Sequence, residues 1–88
     1  MNTFLMEFIG TLFFVYVFLA TKQPLATGAA LALMLYISQT VAQGSFNPVV
    51  SIVMATMGKL PMHDLLPSVI SQVAGGLAAL ELYRQMKY

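Results

Sequence analysis

Gly44-Ser45-Phe46-Asn47-Pro48-Val49-Val50-Ser51 lies between two long apolar segments and contains the start of a helix. Asn is a preferred N-cap, and Pro is preferred at the first helical position, where its missing N–H would be unpaired in any case. Asn47-Pro48 therefore opens a helix through Ile52, Val53, Met54 and Ala55, which Gly58 and Pro61 bring to an end. Ten residues at 1.5 Å each reach only about 15 Å, half of a ~30 Å hydrocarbon core. A capped, apolar half-helix between full-length spans reads as a re-entrant segment aimed at the membrane midplane. Irregular backbone at that depth is tolerated only when buried in protein or lining a cavity. The stretch points to a pore.

Composition agrees with a membrane setting. Of the 88 residues 59% are hydrophobic and 8% charged, and the mean hydropathy is +0.82. Soluble domains carry about 25% charged residues, so this chain has too few to cover a water-facing surface. A net charge of +1 gives no case for a nucleic-acid partner. With no cysteine there is no disulfide framework and no thiolate nucleophile. Met1-Asn2-Thr3 lacks the basic start of a signal peptide, and no small-residue cleavage site follows, so the first apolar segment is expected to be retained.

Working outward, spans are expected at about 4–20, 25–42 and 65–83, with the half-helix at 47–57 in a single membrane domain over residues 1–88. The second span is rich in small residues that permit close helix contact. Asp64 is expected to cap the third span, and Pro67 to fall in its first turn. Gly10, Gly28, Gly75 and Gly76 read as close helix crossings, and the seven Met as apolar gap-fillers. His63 is the only histidine and has no second ligand at a usable spacing, so no metal is expected. The serines lack a histidine base within a helical turn, so the chain is not expected to be an enzyme and needs no cofactor.

Three motifs in register carry a resemblance. Glu7-Phe8-Ile9-Gly10-Thr11 stands in the first span, Asn47-Pro48-Val49-Val50-Ser51 at the half-helix, and Ser71-Gln72-Val73-Ala74-Gly75 in the third span. Their order and spacing resemble one half of an aquaporin-type channel of the major intrinsic protein (aquaporin/glycerol-facilitator) superfamily, over nearly the whole chain. The resemblance implies an all-α integral membrane fold of three transmembrane helices plus one re-entrant half-helix, completed by oligomerisation. Family members join two inverted halves whose half-helices meet at the midplane. This chain would supply one half, pairing most simply with an inverted copy of itself, and such pairs would assemble as a tetramer like the four pores of family members. Inverted repeats are a known membrane architecture.

The resemblance also assigns roles. Asn47 and Pro48 would stand at the pore, where two facing half-helix N-termini would orient water or small neutral solutes and repel cations. Glu7 would accept hydrogen bonds from the Gln43–Phe46 backbone, since an acidic residue at a span centre costs roughly 2.5–3.5 kcal/mol without a partner. Thr11, Gln72 and Gly75 would support it. Val49 replaces the usual Ala where half-helices touch, and Ser45 stands where the family often has His. Counting from the Asn-Pro pair, the constriction positions fall at Thr27, Val50 and Gly44, with neither the aromatic residue nor the Arg of the family filter. Such a filter would be wider and carry no fixed cation.

Charge bears on orientation. The Met1 end and Lys59 share one membrane face; Lys22, Arg84 and Lys87 share the other, a bias of three to one that favours the latter as cytoplasmic. So weak a bias permits dual topology, which an antiparallel homodimer requires. Two readings compete with a passive channel: a non-conducting structural or accessory subunit of a membrane complex, and a half-channel that pairs with a different half.

Overall fold

The computed structural model describes residues 2–41 and 44–86; Met1, Ala42, Gln43 and Lys87 of the expectations above lie outside that range. Four helices follow one another: α1 (Thr3–Thr21), α2 (Pro24–Val41), α3 (Pro48–Thr56) and α4 (Met62–Met86). α1, α2 and α4 are each long and apolar enough to cross a membrane, with no more than two charged residues in the core of any of them. α3 has nine residues, which reach only about 14 Å. The protein is an integral membrane protein of three spans and one half-helix.

Local chemistry sets the helix ends. The Asn2 side chain caps α1 by accepting from the Phe4 and Leu5 N–H groups at 2.7 and 3.3 Å. α1 ends on Lys22 in the left-handed region (φ 54°), whose N–H returns to the Phe18 carbonyl. α2 starts on Pro24, the position where a missing N–H costs nothing. α3 is capped by Asn47 and followed by Gly58 at φ +79°, a backbone only glycine adopts freely.

α4 departs from the sequence reading. It begins at Met62, three residues early, so Asp64 lies inside the first turn instead of capping it, and its N–H donates to the Pro61 carbonyl at 2.9 Å. Its carboxylate still suits the positive helix end. Pro67 is then the sixth residue and falls in the second turn, where its missing N–H removes a backbone bond.

The packing order across the molecule is α2, α1, α4, α3. α1 packs on both α2 and α4, and α3 packs on α4 alone among the helices. α1 and α4 run parallel: Phe8 meets Gly75, and eight residues on Tyr16 meets Tyr83 edge-to-face at 6.5 Å. At Gly75 a Cβ would overlap the Phe8 carbonyl oxygen and lie 3.2 Å from the Leu12 nitrogen, so only glycine permits this crossing. Gly10 is different, because a Cβ there would strike the Phe46 ring, not a helix. Gly28 and Gly76 meet nothing within 4 Å among the described residues, so neither is a crossing between these four helices. The apolar core is small, with Met6, Met34 and Phe46 buried together beside Phe14 and Leu31. Most other large apolar side chains face outward, as they should where the solvent is lipid.

Candidate functional site

The site grows from one carboxylate. Glu7, in the second turn of α1, is 2% exposed. Its Oε1 accepts from the backbone N–H of Phe46 at 2.8 Å and of Ser45 at 3.2 Å. Its Oε2 accepts from Gln72 Nε2 on α4 at 3.0 Å and faces the Ser45 hydroxyl at 3.4 Å. Four donors around one carboxylate satisfy a group that would otherwise be costly at this depth. They also tie α1, the loop before α3, and α4 to one point.

A second layer lies on top. Gln72 Nε2 also reaches Ser51 Oγ at 2.8 Å and Ser45 Oγ at 3.2 Å, and the two serine hydroxyls are 2.6 Å apart. Ser51 is the fourth residue of α3, so the network fixes the half-helix as well as the loop. Thr11 Oγ1 and Gln72 Oε1 are buried with no partner among the described residues, as is Ser68 Oγ. Thr11 lies one turn beyond Glu7 and makes no side-chain bond to it.

Phe46 completes the seat. Its ring is 2% exposed and fills the notch left by Gly10, with Gly44 beneath it. Its backbone is in the left-handed region (φ 59°), a conformation that costs a non-glycine residue about 1–2 kcal/mol. The buried ring and the bond from its N–H to Glu7 hold it there. The sequence pointed to the Phe46 backbone as a donor to Glu7, but not to its ring, and gave Ser68 no place in the site. An aromatic residue just before an N-cap is a weak signal, because such residues usually pack on their own helix.

Asn47 is exposed, and its Oδ1 accepts from the Val49 N–H at 2.8 Å. Its amide makes no other hydrogen bond among the described residues, so two N–H donors stay available beside the positive end of α3. Pro48 and Val49 are exposed with it, Val49 at 66%. Between α2 and α3, the two ends of the row, lies a cleft of about 330 Å³. Gly44 and Val50 both line it, with Glu7, Ser51 and Ser68 at its floor and Lys59 at its edge. Thr27 does not. It sits near the start of α2, toward the Lys22 face, with its hydroxyl buried and unpartnered among the described residues. One chain thus brings Gly44 and Val50 together and leaves Thr27 apart.

Three spans and a half-helix, its Asn-capped end held by a buried carboxylate, define half of an aquaporin-like fold in an integral membrane protein. The chain is related to the aquaporin (major intrinsic protein) family of membrane channels. It is 33% identical to Aquaporin Z of Brucella melitensis biotype 1, over 90% of this chain and 41% of that protein. It is 40% identical to aquaglyceroporin AqpS of Rhizobium meliloti (strain 1021), over 70% of this chain and 27% of that protein. The chain therefore spans less than half the length of these curated relatives. No protein-family model matches it, and no solved structure does so significantly.

Proposed function

We propose that the chain forms a passive channel for water and small neutral solutes when two halves pair antiparallel across the membrane, most simply two copies of this chain. The observation that carries this reading is the exposed Asn47 end of α3, polar and capped, held by the buried Glu7 in a chain otherwise faced for lipid. Backbone donors cannot face hydrocarbon. A second half-helix end set against the first would cover them and leave both Asn amides facing a narrow file. Neutral molecules that accept and donate hydrogen bonds could pass there, while the facing positive ends oppose cations. The names of the two relatives, an aquaporin and an aquaglyceroporin, favour water and small polyols as solutes.

Antiparallel pairing also accounts for Thr27. In one chain it lies toward the face opposite Lys59, so it could meet Gly44 and Val50 only from a second, inverted half. With those three residues the constriction would hold neither an aromatic ring nor an Arg, and would be wide enough for solutes larger than water. Proline-supported Asn47, Val49 at the contact between half-helices, and Val50 and Gly44 in the cleft would then form the path. Glu7, Gln72 and Gly75 would hold it in shape, with Thr11 beside them.

Stopped-flow shrinkage of vesicles containing the purified chain, beside an Asn47→Asp variant, tests the reading. Shrinkage several-fold faster than in empty vesicles, and altered by the substitution, is the expected outcome. Shrinkage at the empty-vesicle rate by a well-incorporated oligomer would favour a structural subunit instead. The exposed, bulky Val49 is the observation on that side, since it adds volume where two half-helices would touch. A partner half bearing Asn-Pro-x-Arg would point to pairing with a different chain.

A further inference from the structure

The cleft between α2 and α3 follows the half-helix along its length. Val50 and Ser51 line it near the Asn47 end, Met54 further on, and Lys59 beyond the last turn. Thr3, at the start of α1, stands at the same membrane face as Lys59. The cleft therefore leads from one membrane face inward to Gly44 and Val50.

Two charged residues line it, Glu7 and Lys59. Among the described residues Glu7 is the one acid on the lining; it is 2% exposed and tied to the donors of the brace, whereas Lys59 stands exposed at the mouth. Asp64, on the first turn of α4, is not among the lining residues and lies 3.4 Å from the exposed His63. Lys59 is exposed and makes no ion pair among the described residues. The remaining polar groups on the lining, Ser38, Gln39, Ser45, Ser51 and Ser68, are neutral.

We propose that Lys59 is a specificity-determining residue, the fixed cation that turns this cleft into a cation-rejecting vestibule of the half-channel. This rests on the channel reading above. It also changes what that reading says of selectivity: a path with no Arg at its constriction has a positive charge at its mouth, and an inverted pair would carry one at each mouth. A plainer role exists, since a lysine after the last turn of α3 complements the negative end of that helix. The two roles differ in what a charge change does to ion flux.

The experiment uses the full chain in vesicles and reads potassium flux divided by osmotic water permeability. Wild type is compared with Lys59→Arg, Lys59→Met and Lys59→Glu, and with Lys22→Met, which removes the same charge from a residue that does not line the cleft. The expected order is Lys59→Glu above Lys59→Met above wild type, with Lys59→Arg equal to wild type and Lys22→Met unchanged. The rise for Lys59→Met should be about 3- to 10-fold at 10 mM salt and shrink at 1 M, as screening shortens the reach of a single charge from about 30 to about 3 Å. An equal ratio in all Lys59 variants, or an equal rise in Lys22→Met, would overturn the vestibule role while leaving the channel intact. Wild-type vesicles no more permeable than empty ones would remove the channel reading and this inference with it.

Discussion

At the scale of the residue, Phe46 shows how a loop is fixed inside a membrane. Its left-handed backbone is unfavourable for an aromatic residue, and the ring is held by a notch that exists only because residue 10 is glycine. Gly10→Ala should therefore destabilise the fold by about 1–3 kcal/mol through overpacking. The same substitution in a Phe46→Ala background should be far milder. Denaturation of the four proteins in detergent measures the coupling; additive effects would mean that ring and notch do not act together. Glu7 and Asn47 stood out in the sequence, since a carboxylate in an apolar span and an Asn-Pro helix start are both anomalous for their setting. Phe46 in an apolar chain is one aromatic residue among many. Its partner lies 36 positions earlier, a contact no local pattern encodes.

At the scale of the element, the glycines separate into kinds that hydropathy cannot tell apart. Gly75 lies where α4 meets the backbone of α1, and Gly76, its neighbour, meets nothing inside the chain. Gly75→Ala should loosen the α1–α4 contact and lower thermal stability in detergent by about 2 kcal/mol, because the obstruction is main chain and cannot rotate away. Gly76→Ala should stay within about 0.5 kcal/mol. Equal changes at both positions, such as the gain that the higher helix propensity of Ala alone would give, would mean that the crossing does not set the effect. Helix existence was legible because each span is a long apolar run, and α3 because its start and stop residues are strong. The start of α4 was not. Asp64 resembles a cap and Pro67 a first-turn residue, yet the helix reaches back to Met62 and tolerates the proline one turn inside.

At the scale of the whole molecule, four helices in the order α2, α1, α4, α3 leave the two outer ones without cover on one side. The molecule is 44 Å long and 22 Å across, and Lys22 and Arg84 mark one end while Lys59 marks the other. Lys22 rests over the rings of Phe18 and Tyr83 at 5.5 and 5.9 Å, an anchor suited to a membrane interface. With so small a charge difference, both orientations should be populated. The chain has no cysteine, so Gln23→Cys and His63→Cys each offer a single clean reporter, both at exposed positions. An impermeant maleimide applied from one side of the membrane should label each to about half. Complete labelling of one and none of the other would mean a single orientation, and would count against antiparallel pairing of identical chains. Fold class and span count could be read from composition and spacing; the arrangement of the spans could not, because their outward faces are uniformly apolar and carry little directional pattern.

The brace around Glu7 also has a history in time. The residues that satisfy it lie 38, 39 and 65 positions later in the chain. At a synthesis rate of about 5–20 residues per second, Gln72 emerges roughly 3–13 s after Glu7. Throughout that interval α1 carries a carboxylate whose partners have not been made. Its hydropathy alone would send it into lipid at once, whereas the carboxylate favours waiting near water or against the insertion machinery until α3 and α4 arrive. The contact that shapes the finished site thus ties the final seating of the first span to the arrival of the last.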